Sequence, residues 1–87
     1  MSDDIAQLDA VTEELERVID DDEIPRNIRE SLEEALERLE DDDAEPSERA
    51  AITMNVLNDV SNDPNLPMHT RTKLWNISGE LETVTME

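Results

Sequence analysis

The sequence predicts an all-α chain of four helices, and three observations carry that expectation. Apolar residues recur at intervals of three and four along nearly the whole chain, the spacing of one helix face. One glycine and four prolines in 87 residues are too few turn formers for an all-β sandwich. Acid runs and prolines fall between the periodic segments and divide them into four. Two arrangements satisfy this pattern: two tandem helix–turn–helix hairpins of the HEAT-like kind, or a four-helix up-down bundle.

The first helix is expected over about 4–19, with Ile5, Leu8, Val11, Leu15, Val18 and Ile19 on one stripe and Ser2 or Asp3 placed to cap it. The acids at 20–23 end it, against the sign that the helix dipole favours there. The second helix spans about 25–40, with Ile24, Ile28, Leu32, Ala35, Leu36 and Leu39. It starts either at Pro25, whose missing N–H is no loss in a first turn, or at Asn27, which has capping-box spacing to Glu30. Residues 41–46 read as a polar linker, giving a hairpin over 4–40 and another over 47–84 in a single domain.

The third helix is expected over about 47–61. Residues 50–58 carry no charge, and Ala50, Ile52, Met54, Val56, Leu57 and Val60 cover more than half its circumference, which predicts a central helix packed from several sides. Pro64 and Pro67 forbid helix through 62–67. The fourth helix spans about 67–84, with Leu74, Ile77, Ser78, Leu81 and Val84 on one side, and residues 85–87 are expected to fray. Gly79 costs this helix about 1 kcal/mol relative to alanine.

A shift of 42 residues aligns the chain with itself. Leu15 meets Leu57, Val18 meets Val60, Asp21 meets Asp63, Pro25 meets Pro67 and Arg29 meets Arg71; Leu32, Leu39 and Glu40 meet Leu74, Leu81 and Glu82. These are eight identities in the 26 positions from 15 to 40. Any two amphipathic hairpins align their leucines, but the matching Asp, Pro and Arg of the turns are harder to obtain by chance. Two repeats are fewer than the three or so that bury both outer faces of a solenoid, so an exposed face is expected to take a partner, most simply a second copy.

The 25 acids against seven bases give a net charge of −18. Helical periodicity argues against a disordered acidic tail. A salt-adapted surface fits better: in molar salt the Debye length is roughly 3 Å, and crowded carboxylates no longer repel one another. The acidity then describes the solvent more than the partner. Thiolate zinc sites and disulfides are excluded by the lack of cysteine. No run of apolar residues is long enough to span a membrane and no signal peptide is evident, so a cytoplasmic location is expected.

The basic groups Arg26, Arg29, His69, Arg71 and Lys73 all fall in the first turns of the second and fourth helices. They read either as a cationic spot for a phosphate, an RNA backbone or an acidic partner, or as internal locks in which Arg29 and Arg71 pair with Asp21 and Asp63 of their own turns. Trp75, the sole aromatic, lies one residue beyond its apolar stripe and reads as a core filler, a self-association contact, a partner-facing anchor or a base-stacking platform. The acid runs lack calcium-loop spacing, and one histidine without cysteine offers neither a zinc set nor a nucleophile–base pair. No catalysis, cofactor or metal is therefore expected.

The run Asp63-Pro64-Asn65-Leu66-Pro67-Met68-His69-Thr70-Arg71-Thr72, with Leu74-Trp75-Asn76-Ile77 and the earlier Ile24-Pro25-Arg26-Asn27-Ile28-Arg29, resembles a family of small archaeal proteins. That family is catalogued as uncharacterised protein family 0147. The resemblance covers nearly the whole chain and implies a small all-helical archaeal protein; it supplies no activity and no site residues. The acidity of this chain would suit a haloarchaeal source. The expectation is a non-enzymatic helical interaction module acting through a homodimer or a protein partner, its surface on the second and fourth helices around Arg29, Arg71 and Trp75. The alternative is an RNA- or ribosome-associated accessory protein.

Overall fold

A computed structural model describes residues 2–85, with side chains described for residues 4–84. It contains α1 (Ser2–Ile19), α2 (Arg26–Leu39), α3 (Pro46–Ser61) and α4 (Met68–Thr85). Ser2 and Asp3, the expected caps, already lie inside α1, and their side chains are outside the description; of the residues 85–87 expected to fray, Thr85 is still helical and 86–87 lie outside the described residues. Pro25 sits just before α2 in extended conformation, and no side chain caps that helix, so the start at Asn27 does not occur.

Sequential helices pack on one another, and α1 packs on α4 as well. That last contact closes the ring. A solenoid of two hairpins would leave its first helix remote from its last, so the chain is an up-down four-helix bundle, 37 by 20 by 18 Å. Among the described residues, α1 and α3 approach across the centre whereas α2 and α4 stay apart.

The core is one continuous cluster that draws on all four helices, including Leu15, Leu32, Leu57 and Leu81. The 42-residue repeat maps it onto itself. Leu8, Val11, Leu15 and Val18 of α1 correspond to Ala50, Thr53, Leu57 and Val60 of α3. Ile24, Ile28, Leu32, Ala35 and Leu39 correspond to Leu66, Thr70, Leu74, Ile77 and Leu81. All of these positions are buried, so the two hairpins are related by an approximate internal two-fold. The flank that each hairpin leaves open is covered by the other.

α3 packs on α2 and α4 and approaches α1, as expected of a helix packed from several sides, but it is not enclosed. The buried stripe of α3 is Ala50, Thr53, Leu57, Val60 and Ser61, while Ile52 is exposed and Met54 and Val56 are only partly buried. The wide apolar arc misled because its flanks reach only the edge of the core, where Met54 and Val56 pack partly buried, and Ile52 lies beyond it. Thr53 and Thr70, polar in composition, occupy the buried positions instead.

All three turns have one construction, including residues 40–45, which fall largely within the stretch 41–46 that the sequence presents as a linker. An aspartate (Asp21, Asp41 or Asp63) accepts the N–H two residues on through its carboxylate, at 2.9, 3.0 and 2.8 Å. Its carbonyl accepts the N–H three residues on, from Ile24, Ala44 or Leu66. This side-chain mimic of a backbone turn stops one helix and aims the next. The next helix then opens after Pro25, Glu45 or Pro67, whose carbonyls accept the N–H groups of Arg29, Arg49 and Arg71.

Candidate functional site

The arginines of the turns are internal. Arg29 donates from Nε to the Ile19 carbonyl at 3.0 Å and from Nη2 to the Asp21 carbonyl at 2.7 Å. Arg71 does the same to Ser61 at 2.9 Å and Asp63 at 3.0 Å. Each guanidinium thus fills one orphan carbonyl at the end of the preceding helix, Ile19 or Ser61, where its charge also suits the dipole, and adds a second donor to the carbonyl of the turn aspartate. The lock foreseen from the sequence is present, but it is made to main-chain oxygens of the turn and not to its carboxylates. Arg49 reaches only the Ala44 carbonyl, at 2.9 Å, beside a 3.9 Å ion pair with exposed Asp42.

The same end of the bundle carries a reciprocal pair of clasps. Asn27 of α2 donates to Asp63 at 3.5 Å, and His69 of α4, its equivalent under the repeat, meets Asp21 at 3.1 Å. Glu23 lies 3.7 Å from the same His69 nitrogen. Asp21, Glu23 and His69 form the group, among the described residues, whose atoms could hold a metal ion, all within 4.8 Å of one another. Sequence inspection missed it because 48 residues separate His69 from Asp21 and only the closed bundle joins them. The Glu23 N–H holds the Asp21 carboxyl below the ordinary range, helped by His69 and, at longer range, Lys73.

The sequence-proposed residues therefore separate. Arg29 and Arg71 serve the turns on the diagonal helices α2 and α4, Arg26 is exposed on α2, and His69 turns toward α1. Lys73 lines a small groove between α1 and α4, about 240 Å³, with Glu14, Arg17, Val18, Asn76 and Ile77. That volume is below the 300–1,000 Å³ or so typical of a small-molecule site.

Trp75 does not fill the core: 56% of it is exposed. On the same outer line of α4, at helical intervals of four, three and four, stand Met68, Thr72, Trp75 and Gly79, all exposed. Met68 is 65% exposed. Gly79 has an ordinary backbone, and a Cβ added there would meet nothing within 4 Å. The neighbouring α3 shows exposed, uncharged Ala51, Asn55 and Asn58, again at intervals of four and three. Residues 49–58 and 64–79 contain no carboxylate, in a chain that has 25. The signal was legible as two acid-free stretches; that both contribute exposed faces to packed neighbours needed the structure.

A model of the uncharacterised protein family UPF0147 matches residues 1–84. The UPF0147 protein MJ1419 of Methanocaldococcus jannaschii is 44% identical over 70 residues, covering 80% of this chain and 75% of that protein. The UPF0147 protein of Archaeoglobus fulgidus is 46% identical over 80 residues, covering 92% and 91%. A crystal structure of the unknown-function protein MMP1188 has a TM-score of 0.84 at 40% identity, covering 88% of each chain. All three are similar to this chain over most of the bundle.

Proposed function

This chain belongs to the uncharacterised protein family UPF0147, and we propose that it works as a non-enzymatic helical interaction module whose contact face is the outer side of α3 and α4. The observation that carries this reading is the exposed line Met68, Thr72, Trp75 and Gly79 within an acid-free stretch, 64–79, of a chain of charge −18. An aromatic anchor on a face without like-charge repulsion is the chemistry of a docking surface. The α2–α4 surface of the sequence reading is not retained, because those helices lie on a diagonal and Arg29 and Arg71 hold turns. The partner is a second copy or another protein of the same compartment. We place that compartment in a salt-rich archaeal cytoplasm, where the acidic remainder of the surface is solvated and screened. No described helix is long and apolar enough to cross a membrane.

Affinity capture in molar potassium chloride, with and without nuclease, tests the reading. Wild-type chain is expected to retain a protein partner after nuclease, and Trp75→Ala to lose it. Association that nuclease abolishes, and that weakens as salt rises, would instead identify an RNA- or ribosome-associated protein.

A further inference from the structure

We propose that the occupant of the α3–α4 face is a second copy of this chain, docked by antiparallel α4–α4′ packing in which Trp75 of each copy enters the notch over Gly79 of the other. This rests on the contact face proposed above and names its partner.

Gly79 is the first argument. It lies inside an α-helix with ordinary backbone angles, where glycine is an unfavourable residue. Nothing inside the chain asks for it, since a side chain there would point into open space. A residue that costs the helix and relieves no crowding within the fold makes sense where another backbone or a large side chain approaches from outside. Trp75 stands one turn away on the same line, more than half exposed. A large knob one turn from a hole is self-complementary about a two-fold: rotating one helix end over end sets each tryptophan against the other glycine.

Charge is the second argument. Residues 1–45 hold nineteen carboxylates against four arginines, and residues 46–87 six against three bases. Two copies meeting through α1 or α2 would bring their most acidic surfaces together. Meeting through α3 and α4 places those surfaces on the far sides of the pair. The size also fits, because one long face of a bundle 37 by 20 Å is on the order of the ~800 Å² per partner that a standard interface uses.

The sole tryptophan reports the contact directly. Sedimentation equilibrium and Trp75 fluorescence in molar salt are expected to show a reversible dimer, with emission moving to shorter wavelength as concentration rises. Association should strengthen with salt, the sign for like-charged copies and opposite to that for nucleic acid. Trp75→Ala and Gly79→Leu should each weaken the dimer by about tenfold or more while circular dichroism keeps the helix content. Gly79→Ala separates this role from a structural one: it should raise the thermal midpoint of the dilute monomer and still weaken association. A wild-type chain that stays monomeric at several hundred micromolar overturns the second copy, and if Trp75→Ala nonetheless abolishes capture of another protein, the face survives that failure. A dimer indifferent to both Trp75→Ala and Gly79→Leu overturns this packing and the face together.

Discussion

The α1–α2 and α3–α4 hairpins share one backbone plan and differ in almost everything placed on it. Both use the same aspartate turn, the same arginine lock and the same buried positions. The first hairpin carries most of the charge, and its core positions Val11 and Ile28 are apolar. The second is nearly neutral, exposes Trp75 and Met68, and places Thr53 and Thr70 where the first has Val11 and Ile28. The hydroxyls of both threonines are buried without a hydrogen-bond partner. A duplicated scaffold can thus hold its fold with repeated turns and core while one half faces solvent and the other acquires a surface of different character.

The comparison is tested most severely in the core. Leu15→Ala and Leu57→Ala truncate equivalent, fully buried side chains and should each cost about 3 kcal/mol. Unfolding free energies from denaturant titration at fixed salt that differ by more than about 1 kcal/mol between the two would break the equivalence of the hairpins. Arg29→Ala and Arg71→Ala each remove two bonds to main-chain carbonyls, one at a helix end and one in the turn, and should cost about 2 kcal/mol apiece, with Arg49→Ala, which loses one bond to a turn carbonyl, nearer 1 kcal/mol. Equal losses at all three would show that the guanidinium fork adds nothing beyond a single contact.

Restoring the apolar residue of the first hairpin should do the reverse. Thr53→Val removes a buried, unpartnered hydroxyl at nearly constant volume and should stabilise by about 1 kcal/mol, while Val11→Thr should destabilise. A destabilising Thr53→Val would mean that the hydroxyl is satisfied in solution.

The smallest effects are electrostatic and opposite in sign. Asp21 is held low by the Glu23 N–H first and His69 second, so the unfolded chain binds its proton more readily. Its contribution is complete above the ordinary carboxylate range and is lost as pH falls through the lowered value, and Asp21→Asn should flatten that part of the stability profile. Glu80 on α4 is pushed up by burial and then by Glu14 of α1, so its ionised form opposes folding. Here the folded chain binds the proton more readily, and stability falls as pH rises through the raised value. Glu80→Gln should raise the melting temperature at neutral pH, less so in molar salt, with the gain vanishing on acidification.

The four helices, their breaks and the repeat were legible because periodicity and proline act locally. Closure was not, since nothing in the stripes of α1 and α4 says that they face each other. The third copy of the turn was hidden by its spacing. Its aspartate, Asp41, follows Asp21 by 20 residues and precedes Asp63 by 22, and its proline falls one position late at Pro46. Composition also confused inside with outside. Ile52 and Trp75 are apolar yet exposed, whereas Thr53 and Thr70 are buried, because a helix position is assigned to the core by its angle and not by its residue type. The pairing of His69 with Asp21 was beyond reach for the same reason as closure.

The contact of Gln7 with the Glu80 carbonyl and the Thr83 hydroxyl sets the beginning of α1 beside the far end of α4. The turn at 40–45 therefore joins two halves that already recognise one another through their packed flanks. Two separate peptides cut there and mixed should rebuild the same bundle, with circular dichroism of the mixture exceeding the sum of the parts as the sign that they have done so.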